Sequence, residues 1–151
     1  MIQLERTDAS NLDFQALVKK LDAYLAIKDG EDHAFYDQYN KIDMIKYVIV
    51  AYKDSQPVAC GAIKAFGEDA MEVKRMYAEP TIRRQGLAQK VLQALEQWAA
   101  ELGKSKCILE TGKRQIEAVH FYQKNNYQRI PNYGQYQGVE NSICFEKVLA
   151  F

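Results

Sequence analysis

Arg83-Arg84-Gln85-Gly86-Leu87-Ala88 marks the point where the hydrophobic period of the chain changes. Upstream, Met71-Glu72-Val73-Lys74-Arg75-Met76-Tyr77-Ala78 mixes apolar and β-favouring residues until Glu79-Pro80 stops it. Downstream, Leu87, Ala88, Val91, Leu92, Leu95, Ala99 and Leu102 recur at helical spacing, and Gly103 supplies a stop. A basic, glycine-containing turn therefore joins a strand to a helix. The first turn of a helix has main-chain N–H groups with no intrahelical partner, and the helix dipole adds partial positive charge there. Gly86 lets an anion approach the backbone without a Cβ in the way, while Arg83 and Arg84 add charge and fork-shaped hydrogen bonding suited to phosphate oxygens. The turn reads as a seat for a diphosphate. The plainer reading of the same residues is a solvated Arg-Arg turn with a glycine placed for geometry.

On the N-terminal side, residues 2–6 alternate apolar and polar as a short strand. Residues 8–11 supply capping groups before Leu12, Leu17, Val18, Leu21, Leu25 and Ile27, an amphipathic helix that Asp29-Gly30 ends. The polar and aromatic stretch 31–41, with His33, Phe35, Tyr36, Asp37 and Tyr39, reads either as a short helix or as an ordered loop. Residues 47–52 form a buried strand by composition, Asp54-Ser55-Gln56-Pro57 is turn chemistry, and residues 58–66 are the returning strand. Gly67-Glu68-Asp69 turns the chain again, so three consecutive strands are expected as antiparallel neighbours.

After the helix from about residue 84 to residue 102 come a strand at 106–110 and a helix over 115–125, with Ile116, Val119, Phe121 and Tyr122 among its apolar positions. A strand at 127–130, a Tyr/Gly-rich loop at 131–138 and a last strand at 142–148 complete the chain. This order predicts an α/β (α+β) fold with a mixed sheet and helices on both faces. No repeat, low-complexity segment or linker divides it, so residues 1–151 read as one domain.

Bulk properties narrow the partners. Twenty basic and twenty acidic side chains cancel over 151 residues, which disfavours a general nucleic-acid or membrane-surface binder. Cys60, Cys107 and Cys144 are widely spaced in apolar runs and read as buried free thiols of a reducing compartment. His33 and His120 do not make a metal site, so no metal is expected. The N-terminus lacks the apolar core of a signal peptide, and no apolar run approaches bilayer length; the expectation is a soluble, cytoplasmic protein. Two P-loop look-alikes fail: the glycine required before Gly103-Lys104-Ser105 would fall at Trp98, and Gly112-Lys113 is followed by Arg114.

With the turn and its flanks in view, the chain resembles the GNAT superfamily of N-acetyltransferases. Arg83-x-x-Gly86-x-Ala88 matches that family's pattern of Arg or Gln, two residues, Gly, one residue, Gly or Ala, after a strand and opening a helix. A second match is Gln115-Ile116-Glu117-Ala118-Val119-His120-Phe121-Tyr122-Gln123-Lys124-Asn125-Asn126-Tyr127, similar to the family's helix carrying an Ala and, four residues later, a Tyr. The resemblance implies a single-domain GNAT fold, with a mostly antiparallel sheet of six to seven strands splayed between its central strands. It implies acetyl-CoA as donor, with pyrophosphate held by Arg83, Arg84, Gln85, Gly86, Leu87 and Ala88, and pantetheine bonded to backbone near Met76, Tyr77 and Ala78. Gln115 stands where many relatives have a cofactor-contacting Asn. Relatives often dimerise, though no feature of this sequence shows an interface for a homodimer.

Acetyl transfer to an amine needs a base for the amine, a donor to the thioester oxygen and a proton for the leaving thiolate. The resemblance implies Tyr122 for the thiolate. Glu72, eleven residues before Arg83, is the leading base and Glu110 on the neighbouring strand the second, while many relatives in the family use a water chain instead. A backbone N–H of Met76 or Tyr77 would serve the oxygen. The plainer readings are a core tyrosine and a strand glutamate paired with Lys74. His120 points off a different helix face. The acceptor, a small-molecule or peptide amine, would sit among residues 28–41, the 132–138 loop and Tyr52, where Asp29, Glu31, Asp32 and Asp37 could attract a cation. The alternative from another class is a non-catalytic CoA- or acyl-CoA-binding sensor or interaction module.

Overall fold

The protein is described from a computed structural model covering residues 1–29, 45–83 and 85–150. The 31–41 stretch with its acidic and aromatic side chains, and Arg84, lie outside the described residues. Seven strands and three α-helices are present among those described: β1 (Ile2–Thr7), α1 (Leu12–Asp29), β2 (Tyr47–Lys53), β3 (Gln56–Phe66), β4 (Ala70–Ala78), α2 (Leu87–Glu101), β5 (Lys106–Gly112), α3 (Ile116–Lys124), β6 (Gln128–Ile130) and β7 (Ser142–Val148). The strands make one sheet in the order β1-β2-β3-β4-β5-β7-β6. All neighbours are antiparallel except β4 and β5. No described helix is long and apolar enough to cross a membrane.

Two apolar layers clamp the sheet. On one face Phe14, Leu17, Val18 and Leu21 of α1, at helical spacing, pack on Val48, Val50, Cys60, Ala62 and Tyr77. On the other, Leu87, Val91, Leu92, Leu95 and Ala99 of α2 pack on Ile49, Ala51, Ala59, Ile63, Met71 and Val73, with Tyr122 of α3 joining them. Each fully buried Leu or Val contributes about 1.5–3 kcal/mol, so these two helix faces hold the layers together. Asn11 caps α1 by accepting a hydrogen bond from the Phe14 N–H at 2.9 Å. Gly103 ends α2 in a left-handed conformation (φ 83°).

The structure departs from the sequence reading in three details. The β2–β3 turn is shorter than the four residues expected: Lys53 pairs with Gln56, and Asp54 and Ser55 alone turn the chain, both at positive φ (50° and 69°). That is the two-residue hairpin turn whose twist matches the strands, and it leaves Pro57 inside β3 beside a register shift. Ile116 is 64 % exposed, because the first turn of α3 stands clear of the sheet. Glu96, on the apolar face of α2, is 2 % exposed, and is satisfied by the Tyr127 hydroxyl (2.8 Å) and Lys147 Nζ (2.9 Å).

The second register shift matters more. Between β3 and β4 the pairing jumps from Cys60↔Tyr77 to Ala62↔Lys74, so Gly61 faces a bulge at Arg75-Met76, with Arg75 left-handed (φ 61°). A Cβ on Gly61 would collide with Met76 Sδ and come within 2.8 Å of Leu95 Cδ1 and 3.0 Å of Val91 Cγ1. Gly61→Ala should therefore lose roughly 1–3 kcal/mol of stability, read as a lower urea midpoint at unchanged m-value; an unchanged midpoint would contradict this packing.

Candidate active site

β4 and β5 run parallel through only three residue pairs, Ala70↔Lys106, Met71↔Cys107 and Glu72↔Ile108. Beyond Glu72 they part, while β5 stays paired with β7 as far as Gly112↔Ser142 and β4 stays paired with β3 as far as Ala59↔Ala78. The Glu79 N–H donates to the Val58 carbonyl on the β3 side at 2.9 Å. By strand alternation the main-chain groups of Ala78 and Met76 turn to the other side, into the gap, while Tyr77 pairs with Cys60. The Ala78 carbonyl accepts from Arg83 Nε at 3.1 Å across that edge.

At the end of this edge α2 begins on Gly86, left-handed at φ 78°, with no side-chain cap. Lys90 is the first residue whose N–H finds an intrahelical acceptor, the Gly86 carbonyl at 3.0 Å. Among the described residues the N–H groups of Leu87, Ala88 and Gln89 have no main-chain acceptor, so the start of α2 suits an anion. A Cβ on Gly86 would meet nothing within 4 Å, so the space beside it is empty. Met76, Ala78, Arg83, Gly86, Ala88 and Tyr122 are among the walls of a cavity of about 520 Å³ here. From α1, Tyr24 joins that wall and lies under the Arg83 guanidinium at 5.6 Å from the ring centroid. Gln85 is exposed and accepts a hydrogen bond from Lys53 Nζ at 3.1 Å.

A second cavity, about 120 Å³, opens on the α1 side of the gap between Glu72, Lys74, Arg75, Glu110 and Tyr136. The two cavities share Leu21, Met76, Gln115, Ala118 and Tyr122, and so meet at the Tyr122 ring. Glu72, 5 % exposed, accepts from the Tyr133 hydroxyl at 2.6 Å on one oxygen and has Lys74 Nζ 3.6 Å from the other. Glu110 accepts from Ser142 Oγ at 2.6 Å. Tyr122, 8 % exposed, packs edge-on against Phe121 and Tyr127. Burial, and then the Glu110 charge, push its phenol well above the usual range, so it stays protonated.

Of the residues singled out in the sequence, Tyr122, Glu72, Glu110, Met76, Ala78, Arg83, Gly86, Leu87, Ala88 and Gln115 all line this pair of cavities. His120 is exposed on the far face of α3. Tyr52 is not among the lining residues; its hydroxyl donates to Asp13 at 2.7 Å. The 132–138 loop does reach the second cavity, through Tyr136. Sequence reasoning missed Arg75, whose orientation depends on the bulge, and the Tyr133–Glu72 bond, which joins residues 61 positions apart. The cysteines are buried, none lines either cavity, and burial pushes the Cys60 and Cys107 thiols up to about 12. Among the described residues no group of three or more His, Cys, Asp or Glu converges on a metal site.

Residues 14–127 match the family model described as the acetyltransferase (GNAT) family. The chain is 30 % identical over 135 residues to an IAA acetyltransferase of Azospirillum brasilense, covering 88 % of each. Among solved structures it is similar to a chain from Klebsiella pneumoniae assigned as an acyl-CoA N-acyltransferase, with a TM-score of 0.83 at 28 % identity over 99 % of both chains. A GNAT acetyltransferase from Elizabethkingia anophelis, solved with acetyl-CoA bound, shares the fold at a TM-score of 0.71 and 16 % identity, over 98 % of both chains.

The phenols carry a pH prediction. Tyr122, Tyr127, Tyr133 and Tyr136 are all pushed above the ordinary tyrosine range, burial being the largest cause in each. Their folded-state values exceed their unfolded ones, so the stability they contribute is intact below about pH 10 and is lost as pH rises beyond it, at up to about 1.4 kcal/mol per pH unit for each phenol. In an alkaline titration followed at 295 nm, at least four of the ten tyrosines should ionise only as the fold is lost. Reversible ionisation of all ten near pH 10 with native circular dichroism would contradict the assignment.

Proposed function

This chain belongs to the acetyltransferase (GNAT) family, and on that premise we propose that it moves an acetyl group from acetyl-CoA to a primary amine of a small molecule or peptide by direct attack in a ternary complex. The observation that carries this reading is the meeting of two cavities at Tyr122. One has the features a CoA arm needs, and the other offers carboxylates to an amine.

The fit to acetyl-CoA rests on this chain's own groups. The open N–H groups of Leu87, Ala88 and Gln89, the empty space at Gly86 and the Arg83 guanidinium suit a pyrophosphate, with Arg84 and Gln85 beside them in sequence. The open edge of β4 at Met76 and Ala78 suits the amides of pantetheine, which pair like a strand; Tyr77 and Gln115 flank that path. When bound, acetyl-CoA supplies an activated thioester carbonyl. The Arg83 bond to the Ala78 carbonyl uses Nε alone and leaves the terminal N–H groups of the guanidinium for the phosphates.

Glu110 is the base in this reading, in preference to Glu72. Each carboxylate has partners, Glu72 the Tyr133 hydroxyl and Lys74 and Glu110 the Ser142 hydroxyl; of the two, Glu110 is the one whose charge acts on the Tyr122 phenol where the cavities meet, and Glu72 is the second candidate. Glu110 takes the amine proton, Tyr122 gives its proton to the departing sulfur, and the Met76 N–H, turned into the gap, steadies the carbonyl oxygen. Direct attack is favoured over a covalent enzyme intermediate because neither cavity's described lining holds a cysteine.

A thiol-release screen with acetyl-CoA against amino acids, polyamines, aminoglycosides and short peptides tests the reading. Turnover with an amine supports it; CoA binding without turnover across the panel would favour a binding module. With an acceptor in hand, Tyr122→Phe should lower kcat by about 10²-fold or more with little change in KM for acetyl-CoA. Full activity of that variant would remove the assigned acid. Arg83→Ala should raise the KM for acetyl-CoA by about tenfold, the loss of roughly one charge-assisted hydrogen bond.

A further inference from the structure

We infer that Tyr24 of α1 is a positioning residue for the donor, its ring holding the Arg83 guanidinium ready for a diphosphate before acetyl-CoA arrives; the inference rests on the acetyl-CoA reading of the larger cavity. Arg83 is exposed on the turn that leads into α2, where a long side chain ordinarily samples many rotamers. Two contacts restrict it here. Its Nε donates to the Ala78 carbonyl at 3.1 Å, and its guanidinium carbon lies 5.6 Å from the Tyr24 ring centroid, within reach of a cation–π contact. The hydrogen bond fixes one edge of the planar fork and the ring fixes its face. Neither contact uses the terminal N–H groups, which are left for phosphate oxygens.

The ring is held in place independently of Arg83. Leu17, Val18 and Leu21 seat α1 on the sheet, and Tyr24 follows Leu21 by three residues and Lys20 by four, on the same side of the helix. Lys20 Nζ reaches Glu79 Oε1 at 2.5 Å, just before the turn. α1 is thereby fastened along the turn at both Glu79 and Arg83. Tyr24 and Arg83 both face the cavity of about 520 Å³ that also holds Gly86 and Ala88. Ordering a free arginine on binding would weaken a complex about threefold to tenfold, and a guanidinium already in place avoids that loss.

The test is calorimetric titration of CoA into the full chain. Tyr24→Leu should raise Kd threefold or more, whereas Tyr24→Phe, which keeps the aromatic face, should change it by less than threefold. In an Arg83→Ala background the Tyr24→Leu step should cost less than twofold, because the group it positions is gone. Tyr24 is half-buried, and Tyr24→Gln gives the same comparison if Tyr24→Leu does not fold. A wild-type-like Kd for Tyr24→Leu, a Tyr24→Phe variant as weak as Tyr24→Leu, or an equal loss in both backgrounds would overturn the positioning role; the last would mean that Tyr24 acts on CoA by another route. Pantetheine, which lacks the diphosphate, separates this inference from the donor reading. Wild-type protein that binds CoA no more tightly than pantetheine, or binds neither, removes the diphosphate seat and the positioning role with it. A strong preference for CoA that Tyr24→Leu leaves untouched keeps the donor reading and removes the positioning role alone.

Discussion

The parting of β4 from β5 after Glu72↔Ile108 is the constraint on which the site depends. A gap inside a sheet exposes main-chain donors and acceptors that must find partners, so a sheet tolerates one only if each strand keeps its other neighbour. Here β5 remains laddered to β7 along the parting, and β4 to β3 except at the Arg75-Met76 bulge. Apolar layers on both faces hold the sheet on either side of it. The N-terminal ends of α2 and α3, at Gly86 and Gln115, both line the first cavity. One opened ladder thus gathers a strand edge, an uncapped helix start and a buried phenol in one place.

The bulge at Arg75 is the second half of the same arrangement. A residue other than glycine in the left-handed region costs about 1–2 kcal/mol, and Gly61 has to stay bare for the bulge to close against Met76, Leu95 and Val91. The ion pair of buried Arg75 with the partly exposed Asp22 and the packing of Met76 against the α2 layer act against that cost. The bulge turns the Arg75 side chain towards α1 and gives the cavity a charge pattern that a regular strand could not present.

How much of this was legible in the sequence follows from how local each feature is. The strand–turn–helix around Arg83 and Gly86 occupies contiguous residues, and its hydrophobic periods announce it. The order of elements along the chain, the three-strand meander and the helices on both faces could be read from the same periods, with element ends off by a few residues, but not the insertion of β7 between β5 and β6. The 54–57 turn was read too long, because Pro57 suggested a turn whereas Asp54 and Ser55 complete the hairpin. The second cavity was mostly illegible. Its contacts join Tyr133 to Glu72, Arg75 to Asp22 and Ser142 to Glu110, at separations of 61, 53 and 32 residues. Only Gly61 hinted at the bulge, and a glycine in a strand reading does not say what approaches it.

That asymmetry has a physical source. The first cavity uses main-chain groups, the β4 edge and the first turn of α2, and these need only the fold and a glycine. The second uses side chains on the α1 face of the same stretch of β4, together with side chains from β5 and the 133–142 region. Main-chain and side-chain directions on a strand are perpendicular, so the two cavities can share Met76 and still draw on independent properties of β4. Exchanging Lys74 for another residue would leave the β4 edge intact, because no main-chain bond of the gap depends on that side chain. Arg75 differs, since its conformation shapes the bulge as well as the charge of the cavity. In the proposed reading, acceptor specificity can therefore vary through a position such as Lys74 while the β4 edge is retained, and a change at Arg75 disturbs both.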